Sequence, residues 1–265
     1  MCTLTWFYRE DGGYHLLFNR DELKTRKRAE PPRLHVADNG MEYIAPIDAD
    51  AGGTWLAVNS AGVTVCLLND YTAPDPQIAV DQIHSRGEVV ARLAGCTDAE
   101  EAFDLLKSLP LKHYRGFRLV IFCSKVRKWR WDTRQLIELG DDVVRNPITS
   151  SSYDEENVQK TRAAFFESLP GPTDLKKLQL FHSAHIDDDL CEVSGEPVAV
   201  SSVCMHRQYA ETVSQCQVSV DADAVSIAYT DGAPCKTRQG AAVVLPRERD
   251  HLIDQAPVGV SALSK

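Results

Sequence analysis

The chain has 265 residues, with Lys+Arg 29 against Asp+Glu 38 and a net charge of −9. With 43% apolar and 25% charged residues, it is no disordered or fibrous chain but a soluble globular one, long enough for one large or two small domains. The acidic balance argues against a nucleic-acid or anionic-membrane binder, whose phosphates need a Lys/Arg excess, and no window approaches the roughly 18 apolar residues of a membrane span. The first ten residues show no basic stretch leading into an apolar one, so no signal peptide is expected and the chain reads as cytoplasmic.

Residues 2–8 are β-branched and aromatic and predict a strand; Asp11-Gly12-Gly13 turns it back into a second strand, Tyr14 to Asn19. The polar run from Asn19 through Arg33, broken by Pro31-Pro32, reads as loop. Residues 54–58 and 62–68 flank Asn59-Ser60-Ala61 as a hairpin. Helical spacing covers 81–94 and 98–108, with Thr97 as the N-cap of the second helix and Glu100-Glu101 as helix-start charge. A strand pair follows at 116–123 and 127–132, then helices at 154–168 and 173–181 with Thr173 as a cap, then strands at 197–204, 213–219 and 225–230. The tail from about 247 is polar and expected to fray. This order lacks regular βαβ alternation, so a doubly wound fold is disfavoured; a single α+β domain, mostly antiparallel sheet under segregated helices, is expected.

Eight cysteines are scattered through the chain without any CxxC, so neither a disulfide framework nor a structural zinc spacing is predicted. Cys66 and Cys123 read as small buried hydrophobes inside apolar runs. Cys2 differs by position. Removal of Met1 ahead of a small second residue would leave a thiol and an α-amine on one residue, and an amine of pKa about 8 is able to act as the base for that thiol. The alternative is an ordinary residue of a buried first strand. His182 and His185, three apart, lack a third ligand at proper spacing, so no metal site is expected. Met205 and His206 are residue types that ligate haem iron, or an exposed strand-end pair. Asp187-Asp188-Asp189 reads as a solvated turn.

Four segments change the weight on Cys2: Cys2-Thr3-Leu4, Phe18-Asn19-Arg20-Asp21-Glu22, Gly52-Gly53-Thr54-Trp55-Leu56-Ala57-Val58-Asn59, and Leu67-Leu68-Asn69. Together they resemble the NRDE family, also called the transport and Golgi organisation protein 2 family, with Ser85-Arg86-Gly87-Glu88 in the same pattern; beyond about residue 95 the resemblance is loose. That family is similar to N-terminal-nucleophile (Ntn) hydrolases. The resemblance implies a four-layer αββα sandwich and a cysteine hydrolase cleaving an amide or thioester.

On this resemblance Cys2, Arg20, Asp21 and Asn69 are the catalytic candidates, and Asn19, Glu22, Gly53, Trp55, Asn59 and Arg207 the substrate-binding ones. Arg20 would favour thiolate over thiol, and Asp21 would orient the α-amine; the bland alternative is a turn-stabilising ion pair. Asn69 would offer its amide to an oxyanion, or cap the strand end with Asp70. Gly53 would let backbone pass close to the site and Trp55 would wall it, or they form a tight turn and a core aromatic. Arg207 is a weak match to a late catalytic arginine and otherwise a solvated strand-end residue. The mid-chain segment Ile148–Tyr153 lacks the Asn that the family pattern carries, and Asn146 lies across Pro147. The resemblance also implies a link to haem trafficking. The competing reading is therefore a non-catalytic protein of the same fold that binds haem or an acyl lipid, while the hydrolase reading needs no cofactor.

Overall fold

Leu16 and Phe18 of the second strand (β2, Tyr14–Leu23) point into one apolar core, while Leu17 between them points into another. A strand buried on both faces at a period of two must lie inside a stack of layers. The same alternation separates Cys66 and Leu68 from Val65 and Leu67 in β6 (Thr64–Asn69), and Val120 and Phe122 from Leu119 and Ile121 in β7 (Phe117–Phe122). The computed structural model describes residues 1–140, 145–186, 190–193 and 196–248, with 190–193 and 196–199 described by backbone alone.

The remaining strands are β1 (Cys2–Tyr8), β3 (Glu30–Val36), β4 (Glu42–Ile47), β5 (Leu56–Asn59), β8 (Val126–Trp131), β9 (Leu136–Leu139), β10 (Ile148–Ser150), β11 (Leu190–Val193), β12 (Glu196–Ala199), β13 (Ala210–Val220), β14 (Ala224–Thr230) and β15 (Val243–Pro246). The helices are α1 (Gly87–Leu93), α2 (Ala99–Ser108), α3 (Glu155–Ser168) and α4 (Leu175–His182). One antiparallel sheet runs β10-β1-β2-β13-β14-β15, the other β3-β4-β5-β6-β7-β8-β9, and β11-β12 form a small ribbon. Inner faces of the two large sheets share a core of Leu4, Trp6, Phe18, Leu68, Phe122 and Val218, among others. Val89, Val90, Leu93, Ala102 and Leu106 of α1 and α2 cover the outside of the second sheet; Phe166, Leu178 and Phe181 of α3 and α4 cover the first. The layers are α, β, β, α, as the family resemblance implies.

The differences have local causes. The run from Asn19 to Arg33 is not loop: β2 continues through Leu23 and β3 begins at Glu30. Its two prolines are accommodated because β3 is an edge strand whose register with β4 shifts between Glu30 and Arg33, where no ladder N–H is needed. The caps of α2 and α4 are Asp98 and Asp174, whose carboxylates accept from the Glu101 and Lys177 amides; Thr97 instead donates to the Glu101 carboxylate. Helix α1 starts only at Gly87, after a 3₁₀ turn at Val80–Gln82. Strand β12 stops at Ala199, and residues 200–209 form a loop. Strands β4, β9, β10, β11 and β15 are too short or too mixed in pattern to announce themselves. The tail beyond 248 and the Asp187–Asp189 run lie outside the described residues.

Two polar side chains are sealed between β1 and the α3/α4 layer. Arg162 is fully buried and donates to Thr3 Oγ1 (2.6 Å), Thr149 Oγ1, Ser201 O (3.0 Å) and Ser202 O (2.7 Å). His182, also fully buried, shares a 2.8 Å hydrogen bond between its Nε2 and Thr5 Oγ1. Burial first, and the Arg162 charge second, push its pKa from 6.5 down to about 3. The unfolded chain therefore holds one more proton than the native chain between these values, so stability falls as pH drops below 6.5, by about 1.4 kcal/mol per pH unit from this group. Denaturant titrations between pH 7 and pH 4 are expected to show this slope, and His182→Gln to flatten it; an unchanged slope in the variant would contradict the assignment.

Candidate functional site

The pairing register of β1 decides what surrounds Cys2. The chain runs antiparallel to both neighbours, so Cys2 lies opposite Arg20 of β2 and Ser150 of β10. Cys2 belongs to the central core yet also floors a pocket of about 320 Å³ at one end of the sandwich. The Cys2 amide donates to Ser150 Oγ at 3.1 Å. Burial raises the thiol pKa; the N-terminal ammonium, and more weakly Arg20, oppose it.

Met1 is buried above this residue. Its ammonium donates to Asp21 O (3.3 Å) and Tyr71 Oη (3.2 Å), and its sulfur lies 3.3 Å from Arg207 Nη1. Burial tends to lower the ammonium pKa, but Cys2, Tyr71 and Asp21 together hold it raised.

Arg20 and Asp21 leave β2 on opposite faces. Arg20 turns toward the pocket, donates to Asp48 Oδ2 at 2.6 Å and stacks over Trp55 at 4.6 Å. Asp48 also accepts from Arg26 (2.7 Å) and from the backbone amides of Asp50 (3.0 Å) and Ala51 (3.1 Å). Burial alone would raise its pKa; these cations and amides outweigh it and hold the carboxyl below its ordinary value. Asp21 faces the α3/α4 layer, where Thr212 Oγ1 donates to Oδ1 at 2.5 Å and buried Oδ2 has no hydrogen-bond partner. A bulge in β13 between Thr212 and Ser214, beside Arg20 and Asp21, re-aims this pairing. Burial raises the Asp21 pKa against the N-terminus and Arg162.

Of the other sequence candidates, Glu22, Gly53, Trp55 and Asn69 line the pocket. Gly53 is required by contact with α1: a Cβ there would meet Gly87 C at 2.6 Å, so its close approach is to backbone. Asn69 donates its side-chain amide to Tyr71 Oη at 3.0 Å, and Asp70 beside it is taken up by Arg118, Arg130 and Thr72. Three candidates are not in the pocket. Asn19 is fully buried, donating to His182 O and Val203 O and accepting from Gln215. Asn59 donates to Ala94 O and Cys96 O and accepts from the Val63 amide. Both amides hold segments together and have nothing to spare for a substrate. Arg207 touches Met1 and Val200 O behind Cys2 rather than the cavity. Asn146 brackets the backbone N–H and C=O of Trp6; in the mid-chain segment it is the Ser150 hydroxyl that bonds the Cys2 amide.

The sequence reading missed Asp48, Tyr71, Ser150 and Arg86 as neighbours of Cys2. Arg86 lines the pocket, donates to Gly116 O at 3.2 Å and has no carboxylate partner among the described residues; burial lowers its pKa. Its place in the Ser85-Arg86-Gly87-Glu88 pattern was the one available signal. Arg20→Met is expected to raise the midpoint of the pH profile for Cys2 alkylation by about one pH unit, read by quenched iodoacetamide labelling and peptide mass; an unmoved midpoint would show that Arg20 does not act on the thiol.

The chain is similar to several solved structures at low sequence identity. A cysteine-to-alanine mutant of conjugated bile acid hydrolase from Clostridium perfringens is 11% identical over 94% of this chain and 97% of that one, with a TM-score of 0.50. An arginine-to-leucine variant of the same hydrolase is 12% identical over 95% and 100%, with a TM-score of 0.52. The Caenorhabditis elegans ortholog of N-acylethanolamine-hydrolyzing acid amidase is 14% identical over 80% and 99%, with a TM-score of 0.48. No curated protein gives a significant match. The likeness to the bile acid hydrolase is one of fold alone: a four-layer sandwich of the Ntn-hydrolase type. Residues 1–160, the part that builds β1, β2, the pocket walls and Ser150, match Transport and Golgi organisation 2, and the chain belongs to that family.

Proposed function

We propose that the chain is an Ntn cysteine hydrolase that cleaves an amide or thioester through Cys2 once Met1 is removed. The observation that carries this reading is the placement of Cys2 at the pocket floor, with its nitrogen 3.1 Å from Ser150 Oγ and Arg20 opposite in register. Removal of Met1 turns that nitrogen into an α-amine of pKa about 8, with the Asp21 carbonyl and Tyr71 hydroxyl that now receive the Met1 ammonium close by. The amine takes the thiol proton and Sγ attacks the substrate carbonyl carbon. The oxyanion is received by the second N–H of Asn69, the first being given to Tyr71. The C–N or C–S bond breaks as the ammonium returns its proton to the leaving group. Water, deprotonated by the same amine, then hydrolyses the acyl-cysteine thioester.

The lining also speaks to substrate. Arg20, Arg26, Arg86 and Arg115 line the cavity with Glu22 and Asp48. Arg20 and Arg26 are taken up by Asp48, whereas Arg86 is not paired with a carboxylate among the described residues, so a substrate carrying an anionic group fits best. This polar lining favours hydrolysis of a charged small molecule over carriage of an acyl lipid.

The test is turnover of acyl amides and thioesters, with and without an acidic group, by chain shown to lack Met1. Cys2→Ala is expected to lower kcat/KM by at least about a thousandfold. Arg86→Gln is expected to raise KM about tenfold for the anionic members only. Full turnover in Cys2→Ala would contradict the mechanism. Saturable one-to-one binding of haem or acyl-CoA by processed chain that turns nothing over would favour the binding reading.

A further inference from the structure

Away from the pocket, four metal-ligating side chains from three separate segments converge. His185 lies just beyond α4, Cys204 and His206 on the loop between β12 and β13, and Cys235 in the turn after β14. Their ligand atoms all lie within 4.8 Å of one another. His206 Nε2 is 3.1 Å from Cys235 Sγ and 3.7 Å from Cys204 Sγ, and the His185 and His206 ring centres are 5.2 Å apart.

The backbone holds each donor in place. The Cys204 amide donates to Ala184 O at 2.9 Å, joining the first two segments. His206 forms an isolated antiparallel bridge with Glu211, and the Lys236 and Thr237 amides both donate to Ala233 O, closing the turn that presents Cys235. Cys204 is buried at the base, and His185, His206 and Cys235 are exposed.

We propose that His185, Cys204, His206 and Cys235 form a tetrahedral site for one Zn²⁺. Zn–S bonds of about 2.3 Å and Zn–N bonds of about 2.0–2.1 Å place neighbouring N and S ligands about 3.6 Å apart, and the two measured N–S separations, 3.1 and 3.7 Å, bracket that edge. Two thiols and two imidazoles without a carboxylate match the S₂N₂ tetrahedron that selects zinc over harder cations. On binding, each Cys–SH becomes a Zn–S bond and gives its proton to solvent, two protons per ion. Without the ion, burial and the neighbouring Cys235 leave the Cys204 thiol with a pKa pushed up to about 12.

None of the four residues lines the Cys2 pocket, so the ion's role is structural and the proposal stands independently of the hydrolase reading. Zinc would pin the loop that carries Ser201 and Ser202, whose carbonyls receive Arg162, and Arg207, which packs on Met1. Sequence spacing hides such a site, because Cys204-x-His206 is a single short pair and the other ligands lie 19 residues before and 29 after it, as the numbering shows.

The test uses the full chain purified under reducing conditions. Elemental analysis is expected to give one zinc per chain, and Co²⁺ replacement a thiolate-to-cobalt charge-transfer band with the visible bands of a tetrahedral ion. Cys235→Ser should lose part of the charge-transfer intensity, and His185→Ala should weaken binding; both positions are exposed, and circular dichroism checks that the fold is kept. A chain with no stoichiometric metal and no tetrahedral cobalt spectrum would overturn the proposal. So would equal binding by the Cys235→Ser/His185→Ala double variant, or a Cys204–Cys235 disulfide whose formation excess zinc does not slow.

Discussion

The position of Cys2 depends on a buried guanidinium. Arg162 reaches from α3 under the first sheet and binds Thr3, the residue after Cys2, together with Thr149, the residue before Ser150. Thr3 and Thr149 are themselves register partners, so one cation clamps β1 to β10 at the point where Cys2 and Ser150 meet. Its other bonds hold the Ser201 and Ser202 carbonyls. Burial lowers its pKa to about 10, far enough above neutrality that the charge remains. Four charge-assisted hydrogen bonds, each worth roughly 1.5–3 kcal/mol, offset the cost of keeping it out of water.

That clamp has electrostatic consequences on both sides of the sheet. Toward the helices, the Arg162 charge adds to burial in keeping His182 neutral and favours the ionised form of Asp21. Toward the pocket, Cys2 lies opposite Arg20, whose charge is shared with Asp48 and Trp55. The two families of charge meet at the N-terminus, where the Asp21 carbonyl and Tyr71 hydroxyl take the ammonium. A bulge in β13 allows this crowding, because an inserted residue breaks the strict alternation that would otherwise aim Thr212 away from Asp21.

Much of this was legible in the residues. β-Branched and apolar runs bounded by turn residues at 2–8, 14–19 and 62–68 marked the central strands, and the Gly-Gly-Thr-Trp and Asn-Arg-Asp-Glu motifs marked two walls of the pocket. The motif did not reveal that its members part company. A strand period of two sends Arg20 inward and Asn19 and Asp21 outward, so Asn19 is a brace, and the same logic makes the equally conspicuous Asn59 a brace for the segment after α1. Tyr71 and Ser150 come from segments with no periodic signal, Arg86 precedes α1 where a longer helix was expected, and only tertiary pairing brings the three to the Cys2 pocket. Pro31-Pro32 concealed an edge strand because proline penalises only a ladder N–H, and a bulged edge needs none there. The thiol–imidazole cluster was invisible because its ligands are spread over three loops.

The central claim is that the residue 3.1 Å from Ser150 Oγ carries a free amine and a reactive thiol. Intact-protein mass spectrometry on chain from its native host type, before and after brief exposure to a thiol-directed acylating probe, tests it most directly. The account predicts a mass lacking one methionine and a single rapid adduct that maps to Cys2. A retained Met1, or a probe that reacts no faster at Cys2 than at the fully buried Cys66, would contradict it.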